Sequence, residues 1–261
     1  MARKAIFITG AASGIGLATA KRFAKEGWFV GLSDIDEAGL ERALVAVGPA
    51  NAHVGVLDVR QRQGWDAALA AFVAASGGRL DLLMNNAGVA RSGPLEHLSL
   101  EDIDLQLDIN LKGVIYGAQA GLPHLKGTPG SQLINIASVA GIVGTAGMSI
   151  YAATKFAVRG LSESLGAEFA EHGVAVKCIM PWFLETPILD TGSRSNGVNI
   201  RDMIAARKHP IYPVEDAAEV IWRAAHSDKS EFTVGAMAGR IKFLKQYAPG
   251  MLRRRINSAG G

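Results

Sequence analysis

A chain of 261 residues, 49% hydrophobic and 20% charged, is a globular composition long enough for one large domain or two small ones, not a disordered chain. The net charge of +3 is mild and much of the excess sits near the end, so the body gives no reason to expect a nucleic-acid partner. Cys178 is the single cysteine, which excludes an intrachain disulfide and a cysteine-held metal and fits a reducing compartment.

Strand-length apolar runs alternate with helix-length segments. "AIFITG", from Ala5, reads as a buried strand that ends in a glycine turn. Its apolar run is too short for the core of a signal peptide, and no stretch approaches the ~18 apolar residues of a membrane span. The expectation is a soluble, cytoplasmic protein. "GIGLATAKRFAKEG" has helical spacing and stops at Gly27. "WFVGLSD" and "AHVGVLDV" read as the second and third strands, each followed by a helix, with Asp36 as an N-cap. "LDLLMNNAG" is a fourth strand. One long helix is expected over residues 100–125, opened by a variant capping box of Ser99 and Asp102. "QLINIAS" is a fifth strand, residues 151–173 a long helix, "VAVKCIMP" a sixth strand, "VEDAAEVIWRAAHS" a helix and "EFTVGAMAG" a last strand. Strands buried on both faces and each followed by a helix mean an α/β fold with a doubly wound parallel sheet. Residues 185–212 lack a clear period and are long for a loop, as lids and binding loops are.

The turn "TGAASGIG" follows the first strand and opens the first helix. Gly10, Gly14 and Gly16 allow a tight turn and close approach, and the helix N-terminus at Ser13, Gly14 and Ile15 favours a pyrophosphate. Asp34 ends the second strand, where a carboxylate accepts bonds from both ribose hydroxyls of an adenosine and repels a 2′-phosphate. No Arg or Lys lies beside it in sequence, so NAD is favoured over NADP. Asp58, with Val59 after it, ends the third strand, where it either meets the adenine amino group or caps a turn.

Together "TGAASGIG", "NNAG" at residues 85–88, Asn110 in "DINLKG", Ser138 in "INIASVAG" and "YAATK" at residues 151–155 resemble the short-chain dehydrogenase/reductase family, over about residues 4–235. The resemblance implies a single Rossmann domain with a seven-stranded parallel sheet, followed here by a basic extension over residues 240–261. It implies Tyr151 as general acid/base, Lys155 as its partner and ribose ligand, Ser138 as holder of the substrate oxygen, and Asn110 as anchor of a proton-relaying water. Elementary chemistry agrees. A free phenol titrates near ~10, and an ammonium one helical turn away, with oxidised nicotinamide, stabilises phenolate. Asn86, Ala87 and Gly88 would support the adenosine side. Pro181, Thr186 and the Phe183 backbone would hold the carboxamide. The small residues Ala152, Ala153, Ala157 and Gly160 imply helix pairing in a homodimer or homotetramer.

The sequence departs from the family in two places. Trp182 stands where the family commonly has glycine after Pro181, either narrowing the site or lining the pocket with its indole. The extension "RIKFLKQYAPGMLRRRINSAGG" is basic and amphipathic, suited to an anionic membrane surface, a pocket cover or an oligomer cap. Expected pocket residues are Val139, Ala140, Val143, Trp182, Leu184 and Leu189, none charged. The reading is hydride transfer between NAD(H) and an apolar secondary alcohol or ketone, with no metal. Its rivals are an NADPH-dependent carbonyl reductase and a dinucleotide-binding sensor without catalysis.

Overall fold

Seven short apolar runs pair into one sheet in the computed structural model, which describes residues 3–258, with side chains to Arg253. The strands are β1 (Ala5–Thr9), β2 (Phe29–Asp34), β3 (Ala52–Val56), β4 (Leu82–Asn85), β5 (Gln132–Ile136), β6 (Ala175–Pro181) and β7 (Glu231–Val234). Their order is β3-β2-β1-β4-β5-β6-β7, and every pair is parallel. Ile6 of β1 lies opposite Val30 on one side and Leu82 on the other. The order reverses between β1 and β4, which opens a crevice at the carboxyl ends of those strands.

Alternate residues of β1 serve opposite faces, as the two-residue period of a strand demands. Ile6 and Ile8 pack with Phe23 of α1 (Gly14–Lys25), Leu40 of α2 (Glu37–Val47) and Ile221 of α8 (Val214–Ala225). Ala5 and Phe7 face Trp65 and Phe72 of α3 (Arg62–Ala75), Ala118 of α5 (Gly113–Lys126) and Phe169 of α6 (Ser149–Ala170). Asp36 caps α2 by accepting from the Gly39 amide at 2.9 Å.

The helix expected over residues 100–125 forms in three parts. α4 (Leu100–Leu107) passes into a π-turn over Asp108–Lys112 and then into α5. Nothing in the composition of "DINLK" signals the wider turn. Ser99 caps α4 by accepting from the Asp102 amide at 3.1 Å, but Asp102 does not complete the box. Its carboxylate instead takes Arg194 at 2.7 Å and Arg91 at 3.2 Å. The last strand ends at Val234, five residues short of the expected run, because Gly235 at φ +84° turns the chain into α9 (Ala236–Tyr247). The expected boundary at residue 239 therefore falls inside a helix, and α10 (Pro249–Ser258) follows; residues 259–261 of the expected extension lie outside the described residues. Residues 185–212 hold α7 (Ile200–Ala206), capped by Asn199, whose side chain accepts from Asp202. Among the described residues no helix is long and apolar enough to cross a membrane.

Buried amides tie α6 to the sheet. Asn85 donates to Asn135 at 2.9 Å, Asn135 to Ser162 at 3.0 Å, and Ser162 to the Val158 carbonyl at 2.7 Å. Gly117 of α5 makes this possible, since a β-carbon there would collide with Asn85 Oδ1 and lie 2.6 Å from Trp65. Gly117→Ala is expected to destabilise the fold by about 1–3 kcal/mol, read from urea unfolding midpoints at unchanged slope.

Candidate active site

The carboxyl ends of the strands open into a cavity of about 1720 Å³. Gly10 after β1 has φ +67°, and a β-carbon there would lie 2.9 Å from the Ala87 backbone. Only glycine therefore lets the turn cross the loop after β4. That loop is stitched to β1: Thr9 Oγ1 accepts from the Asn86 and Ala87 amides at 3.0 and 3.1 Å, and Asn86 Nδ2 donates to the Thr9 carbonyl at 2.7 Å. Gly16 does not line the cavity; a β-carbon on it would collide with the Gly10 carbonyl, so its smallness serves packing. Gly14, at φ +52°, lies against Thr186, whose methyl would sit 3.1 Å from a β-carbon there.

α1 starts at Ser13, whose side chain does not cap it, and its first turn holds no acid. Its amide groups and positive dipole end thus face the cavity with Ser13, Gly14 and Ile15 in the lining. Asp34 lines the same region; its carboxylate accepts from Ile35 N at 2.8 Å and Ala12 N at 3.1 Å. These residues fit a dinucleotide: an uncapped helix start for its phosphates and a fixed carboxylate for a ribose. Asp58 and Val59 also line the cavity, but the Asp58 carboxylate is engaged by Arg60 through Nε at 2.9 Å and a second nitrogen at 2.6 Å. The arginine holds Asp58 below the usual carboxylate range and takes up the charge expected to face adenine.

At the other end Ser138, after β5, and Tyr151 and Lys155, one turn apart on α6, come together. Ser138 stands beside the Tyr151 phenol, and Lys155 Nζ lies 5.7 Å from the centroid of the Tyr151 ring. Lys155 is 4% exposed and donates to the Ile136 carbonyl at 2.9 Å. Burial pushes its ammonium down to about 8. Burial also pushes the Tyr151 phenol up, against the opposing effect of Ser138. The expected lowering by Lys155 is therefore not seen in the protein alone, because desolvation of the phenolate prevails.

Asn110 sits in the π-turn, fully buried and outside the cavity lining. Its amide clasps Val89, accepting from N and donating to O, both at 2.8 Å. Its side chain is thus fixed in place against the loop after β4. The clasp brings Gly88 to Lys155: a β-carbon on Gly88 would lie 3.3 Å from Asn110 Oδ1 and 3.6 Å from Lys155 Nζ.

Pro181, Phe183, Val139, Ala140, Val143, Leu184 and Leu189 all line the cavity. Trp182 lines it too and joins two elements. Its indole donates to the Pro210 carbonyl at 3.0 Å, meets His209 edge-on at 5.4 Å, and packs with Ala238 and Ile241 of α9. The apolar group around Tyr151 is larger than the sequence suggested: Ala90, Ile200 and Ile204 pack with Leu189, and Met148, Phe183 and Met203 against them. The lining is also not free of charge, since Arg91, Arg207 and Arg240 belong to it. Asn199 with Asp202, ahead of Ile200 and Ile204 four apart, was the available signal for α7. The cover formed by α9 and α10 had none beyond amphipathic spacing.

Residues 4–196 match the family model of the short chain dehydrogenases. The chain belongs to that family. This short-chain dehydrogenase, a member of an oxidoreductase family, is 38% identical over 190 residues to 2,5-dichloro-2,5-cyclohexadiene-1,4-diol dehydrogenase LinX of Sphingobium indicum, covering 72% of this chain and 76% of that protein. It is 36% identical over 234 residues to a 3-alpha-(or 20-beta)-hydroxysteroid dehydrogenase of Mycobacterium bovis, covering 89% and 86%. Among solved structures it superposes on a short chain dehydrogenase/reductase from Burkholderia phymatum in complex with NAD, with a TM-score of 0.84, 27% identity and 95% of each chain covered.

The depressed Lys155 value sets a pH dependence. Unfolded, a lysine titrates near ~10.4, so between about 8 and 10 the unfolded chain holds more protons at this position than the folded one. Stability contributed by Lys155 therefore rises with pH across that window, by up to about 1.4 kcal/mol per unit. Urea midpoints of wild type and Lys155→Met, followed from neutral pH upward, are expected to run parallel below the window and to shift in favour of wild type within it. Curves parallel throughout would remove the buried ammonium from the account.

Proposed function

We propose that this short-chain dehydrogenase transfers hydride between NAD(H) and an apolar secondary alcohol or its ketone, with Ser138, Tyr151 and Lys155 as its catalytic centre. The observation that carries the proposal is the buried Lys155 beside a Tyr151 that shares one cavity wall with Ser138 and packs against an apolar cluster. A lysine buried with one carbonyl partner is unfavourable for the fold, and such groups gather at functional sites. The two relatives' names denote a cyclohexadiene diol and hydroxysteroids, and the solved relative carries NAD, all in keeping with this reading.

Gly10, Ser13, Gly14, Ile15 and Asp34 would hold the adenosine and pyrophosphate. Asn86, Ala87, Gly88, Pro181, Phe183 and Thr186 would flank the rest, and Asp58 with Val59 the adenine edge. When bound, NAD supplies the hydride acceptor. The remaining chemistry belongs to the chain. Ser138 Oγ holds the substrate oxygen, and the Tyr151 oxygen takes the alcohol proton. The Lys155 ammonium stabilises the phenolate that takes this proton and becomes phenol, and it binds a ribose hydroxyl. Asn110 keeps Gly88 and Val89 beside Lys155. Trp182, α7 and the covering helices exclude water from the reacting atoms.

Asp34 favours NAD, because Arg60, the basic side chain lining that end among the described residues, already pairs with Asp58 rather than standing free for a 2′-phosphate. A second copy of the chain is expected on α5 and α6, where Ile115, Ala153, Phe156 and Gly160 are exposed. A β-carbon on Gly160 would meet nothing within its own chain, so the room it leaves suits a partner helix.

Two measurements test the proposal. NADH formation from NAD over a panel of secondary alcohols should be seen with wild type and fall by about 10²–10⁴ in Tyr151→Phe, at cofactor affinity within about twofold. Turnover retained in that variant contradicts the mechanism, while cofactor binding with no turnover in wild type favours the sensor. Asp34→Ala should raise NADP use relative to NAD by about tenfold or more, as kcat/KM ratios; an unchanged ratio would show that Asp34 does not read the ribose.

A further inference from the structure

The last two helices carry an arrangement that the proposed chemistry does not use. α9 and α10 cover one end of the cavity, where Arg240, Ile241, Phe243, Leu244 and Leu252 line it. On α9, Arg240, Phe243 and Tyr247 follow at spacings of three and four and share one helix face. Phe243 is 61% exposed and Tyr247 66%, and their rings lie 4.9 Å apart. Met251 of α10 is exposed as well. Large apolar side chains left in water at the rim of an apolar cavity mark an interaction surface.

The charge around them says which kind. From Ala236 to Ser258 the sequence holds Arg240, Lys242, Lys245, Arg253, Arg254 and Arg255 and no Asp or Glu. Lys242 is taken by Glu231 at 2.6 Å. Arg240, Lys245 and Arg253 are exposed and pair with no carboxylate among the described residues. Across the cavity mouth Arg207 adds another exposed cation. The acids that line the cavity, Asp34 and Asp58, belong to the ends of β2 and β3, at the opposite end of the site.

We propose that this face docks the cavity mouth on an anionic lipid surface. Arg240 and Arg253 meet the headgroups, and Phe243 and Tyr247 enter the headgroup region, where aromatic rings are favoured. A second copy suits the face less, because a two-fold contact would set one acid-free basic patch against another. Docking stands on exposure and charge alone. Its consequence for substrate, that apolar alcohols pass from lipid into the cavity along Phe243 and Leu244, rests on the proposed reaction.

The test is co-sedimentation of the full chain with phosphatidylcholine vesicles, with and without phosphatidylserine. Wild type is expected to sediment only with phosphatidylserine and to be released by salt. Phe243→Ser with Tyr247→Ser, and separately Arg240→Glu with Arg253→Glu, should each lower partitioning at least about tenfold at an unchanged melting temperature, since one cation is worth roughly fivefold. Wild type that ignores phosphatidylserine, or variants that sediment as wild type does, would overturn the proposal. So would loss of a subunit in the aromatic variant on size exclusion without any vesicle binding by wild type. Salt release of wild type reads the same claim should a variant fail to fold. Sedimentation does not depend on turnover, so failure here and failure of the proposed reaction are separable.

Discussion

An ammonium group buried against a single backbone carbonyl is the constraint around which this molecule is arranged. Lys155 donates to Ile136 at the end of β5 and is almost closed to solvent. Removing a charge from water is unfavourable unless partners compensate, and here burial depresses the lysine to about 8. Holding it there requires α6 to sit rigidly on the sheet. The Asn85–Asn135–Ser162 chain of amide and hydroxyl bonds does that from beneath. From the side, the π-turn places Asn110 so that its amide clasps Val89 and brings Gly88 to the ammonium. π-Turns occur mostly where a functional side chain must be offset from the regular helical register.

The same constraint shapes what surrounds the phenol. Tyr151 packs, half-buried, against apolar side chains from α7 and the loop before it, which raises the energy of its phenolate unless a positive charge is near. Burial thus favours the protonated phenol over phenolate. Trp182 fits this picture. By bridging the Pro210 carbonyl and α9, its indole ties the 185–212 segment to the C-terminal cover, so that both line one pocket together.

Much of this was legible in the sequence because it is written in strong local chemistry. Strand runs, Gly10 and Gly14, Asp36 and Ser99 as caps, and the four-residue spacing of Tyr151 and Lys155 each follow from backbone geometry or side-chain period. The strand order places their consequences at the carboxyl ends of the strands. What escaped depends on long-range partners. Arg60 takes the Asp58 carboxylate, Arg194 reaches Asp102 from 92 residues away, and Gly235 turns an expected strand into a helix start. The π-turn at Asn110 has no compositional mark, since it is set by what α4 and α5 must each pack against. The sign of the Tyr151 shift also lay beyond the sequence, because proximity to Lys155 can be read from spacing and desolvation cannot.

The central claim is that carbon-bound hydrogen passes directly between substrate and nicotinamide at the Tyr151 end of the cavity. Oxidation of a secondary alcohol deuterated at its carbinol carbon, followed by magnetic resonance of the recovered cofactor, tests it most directly. The account predicts deuterium at the reactive carbon of the reduced nicotinamide, on one face of the ring, with none lost to water. Reduced cofactor without label, or label found in solvent, would contradict it.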